Sequence, residues 1–311
     1  MMNLRKLLLT LTVVAAALGT ASANAQLFRA YIALEGLDSN PCTLQAPCRL
    51  LPAALVAVAN GGEIWMLNSA NYNTSTVNVT KSVTILAIPG AVGSVVATGG
   101  TSAMNIATPG VSVALRNLMV APLATSPGPN GVVMTAGSKL TLENCVLARF
   151  SSRALHVNST AAVRVADSIF RDNSFGMYFE GGATVEVARA TLVGGSNGIA
   201  LYGDVAATTT TAAISESVIS GTGTAVTAFS RNSSSQVHVS LTRSTLTGNN
   251  LAALSQSSAG GAATVTVSRN FVGGNGEVFQ QVGTGSQLRS LGDNHVDDVN
   301  STGTYTPVAP R

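Results

Sequence analysis

Lysine is almost missing from this chain. Beyond the first few residues only Lys81 and Lys139 remain, and charged residues of all kinds are 10% of 311. Nucleic acid and anionic membrane surfaces are bound by concentrated Lys and Arg, so neither is an expected partner. Aromatics are also scarce, at 5% with a single Trp, Trp65, which sits in the N-terminal region and reads as part of the cap core. After the first segment no uncharged apolar run approaches the ~20 residues that cross a bilayer, so the mature chain has no membrane span. No cluster of His, Cys, Asp and Glu has metal-ligand spacing, and nothing implies a cofactor. There are only three cysteines.

The start of the chain reads as an export signal over 1–25. Arg5 and Lys6 form its basic end, Leu7 to Leu18 its apolar stretch, and Ala23-Asn24-Ala25 a small-x-small cleavage site. The segment carries two of the seventeen basic residues and none of the fourteen acids, so the mature charge is close to neutral. The expected location is outside the cytoplasm, either periplasm or medium. There an oxidising environment favours a small disulfide loop between Cys42 and Cys48. The alternative, a metal site, lacks the third and fourth ligands nearby. Cys145 is left over and lies in an apolar column, where a buried inert thiol is expected.

What the chain has is self-similarity. Val113-Ala-Leu115, Leu140-Thr-Leu142, Val163-Arg-Val165, Val185-Glu-Val187, Ala212-Ala-Ile214, Val239-Ser-Leu241 and Val265-Thr-Val267 recur every 22–27 residues. Ile85 extends the series upstream and Leu291 downstream, which places Arg289 in an apolar column and suggests that the core frays there. Each doublet alternates apolar and polar, the period of a strand with one wet face. Five residues later comes a second apolar position: Val120, Leu147, Phe170, Leu192, Ile219, Leu246, Val272, Val296. Two positions before it stands a small or amide column, running Leu118, Cys145, Ser168, Ala190, Ser217, Ser244, Asn270, Asn294. A third strand-like piece follows, as in Leu155-His-Val157 and Met177-Tyr-Phe179.

A unit this short cannot bury its own apolar face, but stacked coils can. Leucine-rich, helical and propeller repeats need other patterns or longer units, and calcium-binding nonapeptide rolls need tandem G-G-x-G-x-D, which is absent. At this point the chain resembles the secreted bacterial right-handed parallel β-helix proteins of the pectin-lyase-like superfamily. The likeness is carried by Arg29-Ala-Tyr-Ile-Ala33, Asp38-Ser-Asn-Pro-Cys42, Pro47-Cys48-Arg49, a helix over 50–60, Gly61-Gly-Glu-Ile-Trp65 and Lys81-Ser-Val-Thr-Ile85. The resemblance implies an all-β right-handed parallel β-helix, a solenoid of about nine coils with a short N-terminal capping helix. The expected organisation is a signal at 1–25, a strand, disulfide loop and capping helix at 26–82, the β-helix at 83–296 and a loose C-terminal tail at 297–311.

Charges test the register, because apolar residues alone set it. Outward residues of adjacent coils lie ~4.8 Å apart, where opposite charges attract. Glu143 falls beside Arg116, Asp167 beside Arg189, Glu216 between Arg189 and Arg243, Glu186 beside Arg164, Asp172 beside Arg149, and Asp293 beside Arg269. Carboxylates paired in this way suit a ladder better than proton transfer. The resemblance also implies what an enzyme of this kind carries: acids gathered around calcium, or two or three acids on one face. The coils show no Asp-Asp pair, no Arg-x-Pro-x-x-Arg and no Gly-His-Gly, so no catalytic set is identified. The unabsorbed residues are His156, Tyr178, Glu180, Tyr202 and Phe229. They fall in adjacent outward columns and, with the Asn158 amide, offer the aromatic faces, carboxylate and amide that a sugar needs. The expected function is an exported, non-catalytic β-helix presenting a long surface to polysaccharide or a cell surface. The alternative is a polysaccharide lyase or glycoside hydrolase. The sequence does not give the oligomeric state.

Overall fold

A computed structural model describes residues 26–297 and 305–307. The export signal read at 1–25 and Asp298 lie outside those residues. The alternating doublets form one face of a solenoid. Leu27–Ile32, Val58–Met66, Val83–Ala87, Ser112–Arg116 and their successors pair in chain order to Ser286–Ser290, every pair parallel. Each coil then turns a corner into a short strand such as Val146–Ala148, and turns again into a third such as Arg153–Asn158. The expected all-β, right-handed parallel coil of about nine turns is what the chain adopts.

The inward columns make one continuous core. Ile85, Leu115, Leu142, Val165, Val187, Ile214, Leu241 and Val267 are register partners in sequence and all are buried. The column five residues on, from Val120 to Val296, is also in register. At the last coil the expected register is wrong by one. Leu288, not Arg289, stands beside Val265 and is buried, while Arg289 points outward beside Thr266. The loop ahead of this strand is shorter, so the next apolar residue takes the core position and the charge faces water. Thr306–Pro307, within the stretch read as a tail, adds a parallel strand beside Ser286–Ser290.

The first corner of each coil is a residue with positive φ. Asn117, Asn144, Asp167, Arg189, Glu216, Arg243 and Arg269 all lie near φ +48 to +55. Asn and Asp enter this region readily, but Arg and Glu pay about 1–2 kcal/mol there. The small-or-amide column compensates at the following residue. Its side chains accept the backbone N–H of the coil before: Cys145 N–H to Ser168, Ala190 N–H to Ser217, Ser217 N–H to Ser244, Ser244 N–H to Asn270 and Asn270 N–H to Asn294, at 3.0–3.2 Å. The same Asn270 donates back to the Leu241 carbonyl at 2.9 Å. At the second corner Asn173, Asn249 and Asn275 do likewise for Phe150, Thr222 and Asn249. Cys145 is buried within the ladder, and desolvation pushes its thiol up to about 11, so it stays protonated.

Helix α1 (Leu51–Ala57) closes the N-terminal end, with Leu51, Ala54 and Leu55 buried against the first coils. It is shorter than the 50–60 expected, because Val58 turns extended and pairs beside Leu27. Cys42 and Cys48 form the expected disulfide. Both ends of its loop bond the first strand, with Tyr31 N–H to the Cys42 carbonyl and Cys48 N–H to the Tyr31 carbonyl.

Asn270→Ala is expected to strand the buried Ser244 N–H and the Leu241 carbonyl together. The loss should be about 2–4 kcal/mol in denaturant unfolding, because each unsatisfied buried group costs about 1–3 kcal/mol. Asn270→Ser, which keeps an acceptor, should recover part of it.

Candidate functional site

The third strand of each coil ends on the same outward face, and the uncommon side chains collect there. Strand pairing places His156 beside Tyr178 and Asn158 beside Glu180, with Tyr202 beside Phe229 further along. All five residues singled out from sequence converge on one patch. Tyr178 and Tyr202 stack with ring centres 4.7 Å apart, His156 meets the Tyr178 edge at 5.3 Å, and Phe229 tilts against Tyr202 at 5.9 Å. The two tyrosines are buried rather than open platforms, with Phe175 packed beside them. Burial raises both phenol pKa values, so they remain neutral.

Three charged residues join this patch that the sequence reading did not select. Arg153 lies over the Tyr178 ring at 4.2 Å. Arg231 lies over Tyr202 at 4.1 Å and over Phe229 at 4.9 Å. The stacked pair is thus covered at each end by a guanidinium, a favourable cation–π arrangement. Asp204 takes Arg231 Nη1 at 3.4 Å. Simple alternation would have found two of them, since Asp204 is two residues past Tyr202 and Arg231 two past Phe229. They lie where strands give way to turns, and the column alignment stopped short of them.

The carboxyl groups are the chemical centre. Glu180 accepts a hydrogen bond from His156 Nε2 at 2.9 Å. A carboxylate can only accept, so that nitrogen carries the proton. This bond, with help from Arg153 and Asp204 against partial burial, holds Glu180 below the usual carboxylate range. Asp204 moves the other way. Desolvation raises it and the neighbouring Glu180 adds to the rise, outweighing Arg231. Its Oδ1 is buried without a partner in the ionised form. Each carboxyl thus bears on the proton affinity of the other. Glu180 and Asp204 make a carboxyl pair that the alignment did not select. It is built from residues 24 apart, on neighbouring coils. The turns that follow the third strands form a shallow open depression lined by Pro109, Gly137, Ser159, Thr160, Gly181 and Val205, and none of the patch side chains lines it.

The remaining aromatic and ionic features are structural. Trp65 is not in the cap core. Ile64 and Met66 take the inward positions, so Trp65 faces out, half-buried, with Arg29 over its ring at 4.0 Å and its Nε1 on Glu63 at 3.0 Å. His295 stacks on Phe271, and His238 bonds Gln236. Four of the charge pairs read from sequence close as ion pairs: Glu143–Arg116 at 2.9 Å, Asp167–Arg189 at 2.7 Å, Glu216–Arg243 at 3.1 Å and Asp293–Arg269 at 3.5 Å. Glu186 and Arg164 are register partners. Among the described residues no group of three or more His, Cys, Asp or Glu could hold a metal ion, and no helix is long and apolar enough to cross a membrane.

Comparison with known proteins agrees with this architecture. Residues 110–212 match the family described as right handed beta helix region. Among solved structures, the pectate lyase Pel9A is similar over 92% of this chain and 82% of its own, with TM-score 0.64 and 18% identity. XylC, solved in complex with xylose, is similar over 84% of this chain and 74% of its own, with TM-score 0.59 and 8% identity. No curated protein matches by sequence. The likenesses establish a pectin-lyase-like β-helix fold.

Glu180 has a depressed pKa, so its contribution to stability is present above the ordinary carboxylate range and is lost as pH falls through its folded value. Glu180→Gln should therefore melt below the parent at neutral pH, by about 1–2 kcal/mol for a hydrogen bond to a charged group. The gap should narrow on acidification. A pH series of thermal melts reads both.

Proposed function

We propose that this protein is an exported β-helix that recognises polysaccharide without cleaving it, and that the glycan docks on the patch around Arg153, His156, Glu180, Phe229 and Arg231. One observation carries the reading. Two guanidiniums, two carboxyls, an imidazole and the edge of a partly buried phenylalanine converge from several coils on one patch, on a chain poor in charge and aromatics. Sugars are held by this combination: CH faces lie on aromatic carbon while hydroxyls bond charged and polar groups at the rim. Because Tyr178 and Tyr202 are buried, they act as the floor that fixes the arginines, and Phe229 with the rim groups makes the contact. The two similar solved structures with carbohydrate-related names support a carbohydrate partner. The disulfide supports an oxidising compartment, extracellular or periplasmic. It agrees with the leader read at 1–25.

A second reading, a lyase or glycoside hydrolase, has one specific observation in its favour. Glu180 and Asp204 are carboxyls whose proton affinities are pushed apart, the pattern that separates an acid from a base. The two readings part in a binding-and-product assay over uronate and neutral polymers. The proposal expects retention of a polymer with no new reducing ends and no unsaturated products. Arg231→Ala should weaken that retention roughly tenfold or more, the loss of one charged hydrogen bond with its stacking contact. Products that vanish in Asp204→Asn would establish the second reading. Absence of both binding and products on all polymers would defeat the two together.

A further inference from the structure

The patch belongs to a longer face, and the charge of that face decides what kind of polymer it can take. One outward column of the third strands runs in register from Asn105 through Val133 to His156 and Tyr178, and on through Thr227 and Leu254 to Gln280. In the column beside it Phe229 is followed by Gln256. Amides therefore flank the patch on both sides, Asn105 towards one end of the solenoid and Gln256 and Gln280 towards the other.

Charges on this face cancel. The guanidiniums of Arg153 and Arg231 are matched by the carboxyls of Glu180 and Asp204. Glu277, register partner of Leu251, adds a negative charge at the far end. At the corner ahead of the third strands, Arg149 and Arg171 stand with Asp172, where the Arg149 N–H bonds the Arg171 carbonyl. The described residues thus leave no surplus of positive charge along the face. The ion pair nearest to solvent is Arg231–Asp204, with side chains 43% and 28% exposed and 3.4 Å between Nη1 and Oδ2. The His156–Glu180 pair is more covered, at 15% and 13%.

A polyuronate carries a carboxylate on every sugar. To reach Arg231 one of these would displace Asp204 and lie close to Glu180, and like charges oppose that. Its other carboxylates would find no cation in excess. A hydroxyl group, in contrast, both donates and accepts. Two vicinal hydroxyls span an ion pair without opening it: one accepts from the guanidinium and the other donates to the carboxylate. Side-chain amides also donate and accept, and so serve hydroxyls in both directions without adding charge. From this we infer that the ligand is a neutral polysaccharide, held by a vicinal hydroxyl pair across Arg231 and Asp204 and by the amides of Asn105, Gln256 and Gln280 on either side. The inference rests on the glycan reading above and selects one substrate class within it.

Retention of the mature chain on immobilised β-glucan, galactan, mannan and polygalacturonate, each at low and high salt, tests the choice. At least one neutral polymer should be retained with little change in affinity as salt is raised, since no net charge is neutralised on binding. Polygalacturonate should bind at least roughly tenfold more weakly. Asp204→Asn removes a negative charge and leaves Arg231 without its ionic partner, so it should weaken the neutral polymer and gain a salt-sensitive retention of polygalacturonate. Gln256→Ala, which alters no charge, should weaken the neutral polymer alone, by about threefold for one neutral hydrogen bond. Melting curves confirm that each variant is folded. A preference for polygalacturonate that Arg231→Ala abolishes would overturn the inference and leave the glycan reading standing. So would a folded Asp204→Asn with no gain on polygalacturonate. Retention of no polymer, or retention that Arg231→Ala leaves untouched, would defeat the glycan reading itself and this inference with it.

Discussion

The structure depends on a hydrogen bond made at a corner. Each coil must turn sharply between its first two strands, and it does so through a single residue in the left-handed region. That turn points a backbone N–H away from any strand partner. At five of these turns a serine or asparagine one coil further on receives it, so the turn is completed by the neighbouring coil. Coils of this kind cannot form singly. The ladder and the apolar columns make stability a property of the stack, as expected for a quasi-one-dimensional protein.

That arrangement also explains where charge can be tolerated. The left-handed residue points outward, and Arg and Glu occupy it despite the conformational cost because the neighbouring coil supplies an opposite charge. Exposed pairs of this sort contribute about 0–1 kcal/mol each. They join successive coils, one ion pair at a time, along the outside of the stack.

The candidate site uses the stack differently. His156, Glu180, Asp204 and Arg231 come from four successive coils, and no coil holds more than a fragment of the constellation. Burial of the two tyrosines under two guanidiniums is costly in isolation, because it removes charge from water. It is offset here by the cation–π contacts and by the carboxyls that face the same patch. The result is a preorganised polar floor, on which the Glu180 pKa is lowered chiefly by His156 and the Asp204 pKa is raised chiefly by desolvation.

Alternating apolar residues every 22–27 positions were enough to give the coil, its parallel pairing and nearly all of its register, because burial on one face of a strand has a period of two and a one-residue slip exposes the whole set. The five site residues from His156 to Phe229 were legible for the same reason, as rare residue types in two adjacent outward columns. The register at Leu288 was not, since a shortened loop breaks the even spacing that the alignment relied on. Arg153, Asp204 and Arg231 were missed because they stand at or just past strand ends, where the column alignment stopped. How far Glu180 and Asp204 shift one another's proton affinity, and whether the tyrosines are platform or floor, depends on distances across coils and on exclusion of water. Those are set only when the coils are stacked.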